Sequence, residues 1–154
     1  MNRRIRRIYG GLMTHDDHGD DHPPTAEPVL VSLSAPARRS LVAGLVRAPG
    51  ATAGAEVVDV DIPDAELAAH LVRLAHADHG FVARTAHGPR AVAVVAATVA
   101  ALCGEDIPTA LTAPDLDFLR ALKPPAIEAT RTVLLAVETD DEQAVTAALR
   151  VLDS

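Results

Sequence analysis

A chain of 154 residues is long enough for one core and short for two. Its 49% of hydrophobic residues can build that core, but with aromatics at only 2% there is no stacking platform for bases or sugars. The formal net charge of −7 leaves no basic face to neutralise phosphates, which argues against a nucleic-acid partner.

The opening MNRRIRRIYGG has the arginines of a secretory n-region, but His15 and a series of aspartates stand where an apolar h-region would follow, so export is not expected. Arg3, Arg4, Arg6 and Arg7 read as a solvated arm rather than a membrane or nucleic-acid contact, because an acidic run follows at once. Met13 is an equally good start codon. The stretch THDDHGDDHPPTAEP has no branched aliphatic residue, and its composition cannot offset the entropy of ordering. The expectation is a disordered tail over 1–27 and a single α/β domain over 28–154.

Within that domain, 29–33 (VLVSL) is β-prone. Ser34 stands as an N-cap ahead of Leu41, Val42, Leu45 and Val46, whose spacing predicts a helix stopped by Pro49 and Gly50. In 56–62 (EVVDVDI), Val58, Val60 and Ile62 alternate with Asp59 and Asp61, the pattern of a half-buried strand. Pro63 suits the first turn of a helix over 64–78, with Leu67, Leu71 and Leu74 on its inner face. Two readings compete for 80–102: a β-hairpin turning at Gly88 and Pro89, or a helix from Pro89 to Leu102. Both make 96–103 helical, with Gly104 as the stop. A short helix is expected over 115–122, ended by Pro124 and Pro125 with a turn after it, then a strand over 132–137. Thr139 and Glu142 form a T-x-x-E capping box ahead of a last helix carrying Val145, Ala148, Leu149 and Leu152. The fold class is α/β, with mixed α+β as the alternative: one small sheet packed with three to five helices. The longest apolar stretch, 91–103, is far short of the roughly 20 residues a spanning helix needs, so no membrane is expected.

The most unusual motif is HDDHGDDH, in which His15, His18 and His22 alternate with aspartates, a donor set suited to nickel, zinc or copper. A solvated acidic tail is the competing reading. His76, Asp78 and His79, near His70 and His87, form a looser alternative metal or catalytic group, although histidines at a helix end are also favoured by the terminal carbonyls. Asp59 and Asp61 share a strand face that ends at a helix N-terminus, where α/β proteins often place ligand contacts. Cys103 is the only cysteine, so an internal disulfide is excluded and a reducing, cytoplasmic setting fits; the residue reads as a small buried hydrophobe or a nucleophile. No nucleotide-binding glycine loop or nucleophile elbow is present. The Ala-, Arg- and Asp-rich usage resembles that of a high-GC bacterial genome, so a bacterial source is expected.

These readings give three expectations in order. The first is a non-catalytic accessory or regulatory domain acting through self-association or a protein partner. The second is a metal-binding accessory protein using the His/Asp tail. The third is a small enzyme that gathers His76, Asp78, His79 or Cys103 in one cleft.

Overall fold

The structure, a computed structural model, describes residues 38–153. The chain divides between Pro36 and Ala37, so the described residues all belong to the second unit. The expected tail over 1–27, the β-prone run over 29–33, the cap at Ser34 and the histidines His15, His18 and His22 lie outside the described residues.

Four strands, β1 (Val46–Arg47), β2 (Glu56–Asp59), β3 (Phe81–Arg84) and β4 (Leu134–Glu138), form one sheet in the order β1-β4-β3-β2. Every pair is parallel. Six helices accompany it: α1 (Asp64–Ala75), α2 (Gly88–Cys103), α3 (Ile107–Thr112), α4 (Leu116–Arg120), α5 (Pro124–Val133) and α6 (Glu142–Leu149). The α/β class is therefore correct, while the expected three to five helices become six among the described residues.

The alternation in 56–62 works as expected. Val58 and Val60 are buried in the helical core, whereas Asp59 and Asp61 are exposed. Hydrogen-bonded strand residues end at Asp59, although the Val60 N–H still donates to the Arg84 carbonyl at 3.1 Å. Leu67, Leu71 and Leu74 of α1 are fully buried. The ion pair from Arg73 Nη2 to Glu56 Oε1 at 2.5 Å ties α1 to β2 and holds the Glu56 carboxyl below its ordinary value.

Of the two readings for 80–102, the helix is correct and the hairpin is not. Pro89 lies in the first turn of α2, where its missing N–H costs nothing. From Ala91 to Ala100 every residue is buried, because α2 packs against α1, α3, α5 and α6 at once. A helix that is apolar on all sides needs such a central position. The hydroxyl of Thr98, the polar group in this run, donates to the Val94 carbonyl at 2.7 Å. Gly104 ends α2 in the left-handed conformation, as its position predicted.

Three local expectations are overturned. The helix expected around Leu41 to Val46 is a bend leading into β1. Leu41, Val42 and Leu45 are buried, but Gly44 has φ +67°, outside any right-handed helix, and Ser40 Oγ accepts from the Val42 and Ala43 N–H groups. The double proline does not introduce a turn: Pro124 begins α5 directly, using the tolerance of a first helical turn for proline. The capping box at Thr139 does not form. Asp141 caps α6, accepting from the Ala144 N–H at 3.0 Å, while Thr139 Oγ1 accepts from the Asp141 N–H.

The strand residues that join the helical core are Val58, Phe81, Ala83, Leu134 and Val137. The positions between them, Val57, Val82 and Ala136 in one row and Asp59, Arg84 and Glu138 in the next, point to the opposite face. Leu135 is the extra residue of a bulge, since Phe81 pairs with Leu134 and Val82 with Ala136. Because β1 and β2 lie at opposite edges, residues 48–55 must cross that opposite face, and the carboxylate of Glu138 pins them there.

Candidate functional site

A parallel sheet directs the carboxyl ends of its strands, and the N-termini of the helices that follow, to one edge. At this edge the turn after β2 brings Asp61, the turn after β3 brings Thr85 and His87, and the first turn of α2 brings Arg90. Thr85 is buried; its hydroxyl donates to Asp61 Oδ1 at 2.7 Å and accepts from the His87 N–H at 3.0 Å. His87 Nδ1 lies 3.4 Å from the same Asp61 oxygen, with its side chain 71% exposed. Arg90 donates to the Val60 carbonyl at 2.5 Å, the Ile62 carbonyl at 2.8 Å and Asp64 Oδ1 at 2.7 Å.

Asp61, Asp64, His87 and Arg90 line an open cleft together with Ile62 and Leu111. Most of their polar atoms are already engaged in closing the β2–α1 turn onto α2. The imidazole of His87 is the most exposed of these four side chains, and its Nδ1 lies beside the Asp61 carboxylate.

The second recess has a different character. It is a groove of about 270 Å³ between α2, α3 and α4, floored by Ala96, Ala100, Ala110 and Leu119 and walled by Phe118. Phe118 is 43% exposed, whereas Phe81, the other phenylalanine of the chain, is fully buried. Glu105, Asp106 and Asp115 form the rim, all exposed. Two of them also build the helices that make the groove. Asp106 caps α3 by accepting from the Thr109 N–H at 3.0 Å, and Asp115 caps α4 by accepting from the Phe118 N–H at 2.9 Å. The Asp106 carboxyl also accepts from the Thr109 hydroxyl, and these bonds hold it below its ordinary value. Among the described residues, no Lys, Arg or His lines the groove.

His76, Asp78 and His79 are all exposed at the end of α1 and just beyond it. His76 Nδ1 lies 2.8 Å from the Val72 carbonyl and His79 Nδ1 3.4 Å from the Gly80 carbonyl, so the two rings make separate backbone contacts rather than one shared site. His70 sits against Arg73, at 3.4 Å. Among the described residues no three His, Cys, Asp or Glu side chains are grouped as a metal-ligand set. Cys103 is exposed at the last position of α2, which corrects the expectation of a small buried hydrophobe. No hydrogen bond or ion pair joins it to a histidine among the described residues.

Asp61 was legible in the sequence as a carboxylate before a helix. Thr85 and Arg90 were not, because nothing local marks them. Phe118 carried a weak local signal: in DLDFLRAL it falls beside the stripe set by Leu116 and Leu119 rather than on it. Among the described residues no helix is long and apolar enough to cross a membrane. Comparison with protein-family models, with curated proteins and with solved structures found no match.

Proposed function

We propose that the folded unit is an accessory or regulatory domain that acts by docking a protein partner, and that the groove between α2, α3 and α4 is its contact surface. The observation that supports this reading is the exposed Phe118 beside an alanine floor, an apolar recess with a polar rim, which is the anatomy of an interaction site. The carboxyl-edge cleft supports a ligand less well, since its arginine and carboxylates are engaged in holding the fold. The test is proximity capture in the source cell with the wild-type chain and with Phe118→Ala, at matched expression. A partner enriched by wild type and lost by the variant supports the reading; identical captured sets overturn it.

A second reading, capture of nickel, zinc or copper by His15, His18 and His22, is favoured by three imidazoles interleaved with carboxylates in one short stretch. Calorimetric titration of the tag-free chain and of a form lacking 1–27 tests it. Equal metal stoichiometry in the two would sink the idea.

A further inference from the structure

We propose that the groove takes a basic segment of a partner protein with an apolar centre: one aliphatic or aromatic side chain against Phe118 and the alanine floor, flanked by arginine or lysine against the carboxylate rim. This rests on the partner-docking reading above and adds the chemistry of the occupant.

The floor is what admits the central side chain. Ala96 and Ala100 lie one turn apart on α2, and Ala110 faces them from α3, so the three positions contribute only methyl groups. Longer side chains at these positions would fill the recess from within. Phe118 stands beside this recess with nearly half its surface in solvent, and an apolar partner group would remove that surface from water.

The rim sets the sign of the flanks. Glu105 makes no ion pair and no side-chain hydrogen bond among the described residues, and Asp106 and Asp115 each use one oxygen as a helix cap, leaving the other open. The nearest cation along the chain, Arg120, is engaged elsewhere: Nη1 lies 3.1 Å from Asp117 and Nε donates to the Val151 carbonyl at 2.8 Å. Three carboxylates around one small groove, without a compensating cation in its lining among the described residues, favour a cationic partner and repel phosphate-bearing ones.

The test uses the full chain and dye-labelled hexapeptides read by fluorescence anisotropy at low salt. The first peptide has two leucines flanked on each side by two arginines; the second replaces the leucines with glycines; the third replaces the arginines with glutamates. The protein variants are Phe118→Ala and the triple Glu105→Gln, Asp106→Asn, Asp115→Asn, which keeps both caps because asparagine caps as well as aspartate. Circular dichroism confirms that each variant is folded. The arginine–leucine peptide is expected to bind wild type at least tenfold more tightly than either variant, and at least tenfold more tightly than the glycine peptide binds. Equal affinity for wild type and both variants, or no binding of this peptide, overturns the proposal. If the glutamate–leucine peptide binds instead and still depends on Phe118, the basic occupant is wrong while the docking surface stands.

Discussion

Arg84 Nη2 sits 3.1 Å from Glu138 Oε2, and the two side chains differ sharply in setting: the guanidinium is half exposed, while the carboxylate is completely buried. The same carboxylate accepts from the Gly50 N–H at 3.0 Å and the Thr52 N–H at 3.3 Å. One acid on a central strand thus receives three donors, two from the crossing connection and one from β3. This is how a connection rich in glycine and alanine, with little side-chain surface of its own, is held across the sheet.

Replacing Glu138 with glutamine is therefore expected to destabilise the domain by about 1–3 kcal/mol, since a charge-assisted acceptor is lost and an amide N–H group is set against backbone donors. The backbone bond from Gly50, then that of the Arg84 side chain with further help from Thr52, outweighs burial and holds the Glu138 carboxyl below its ordinary value. A carboxyl with a lowered folded pKa adds stability that is complete above the unfolded value. That stability is lost as pH falls through the carboxylate range, from about pH 5 downward. Urea unfolding of wild type and Glu138→Gln at pH 7 and near pH 4 checks both points: the gap between the two proteins should narrow at the lower pH. A constant gap would remove the carboxylate's charge from the account.

At Gly88 the start of α2 lies tightly against α6. A Cβ placed there would lie 2.5 Å from Ala148 Cβ and 3.4 Å from the Ala144 carbonyl oxygen. Gly88→Ala should therefore cost about 1–3 kcal/mol from overpacking, despite alanine's better helix propensity. Ala148→Gly removes the obstructing methyl and costs about 1 kcal/mol as a helix glycine. The double variant should be more stable than the sum of the two single losses, by about 1 kcal/mol or more. A strictly additive cycle in denaturant unfolding would show that α6 moves aside without cost.

Cys103 should react with a thiol reagent such as 5,5′-dithiobis(2-nitrobenzoic acid) in the native protein, at full stoichiometry and without prior unfolding, because its side chain is exposed at the end of α2. The far-UV circular dichroism should be unchanged afterwards. Labelling that needs denaturant would place the thiol in the interior and contradict the helix end described here.

The sequence pattern carried those parts of the fold that depend on one element at a time. Val58 and Val60 alternate with aspartates because β2 has one covered face, and the Leu67, Leu71 and Leu74 stripe exists because α1 packs on one side only. α2 was ambiguous for the opposite reason: buried on all sides, it has no polar face to reveal its period, and an Ala/Val run suits strand or helix equally. Leu41, Val42, Leu45 and Val46 have helical spacing over little more than one turn, too short a pattern to outweigh Gly44. Pro124 and Pro125 read as a stop because they follow a helix, yet proline stops one helix and starts another with the same geometry. The groove was hidden more deeply. Its floor and wall come from Ala96, Ala110 and Phe118 on three different helices, and only the turns at Gly104 and Ala113 bring them into register.

Arg90 gives the most direct test of the carboxyl edge. Its side chain is only 18% exposed, and its planar guanidinium reaches the carbonyls of Val60 and Ile62 and the carboxylate of Asp64 from three directions. Lysine carries the same charge on a single nitrogen and cannot meet all three acceptors. Two carbonyls at the end of β2 would then lose their donor in a part-buried setting. Arg90→Lys is expected to cost about 1–3 kcal/mol, and hydrogen exchange should quicken first at the amides of 60–67, where the guanidinium holds β2 to the start of α1. If lysine is neutral, or if exchange rises evenly over the whole domain, the turn is held by the packing of Val60 and Leu67 alone, and the guanidinium fork adds nothing to it.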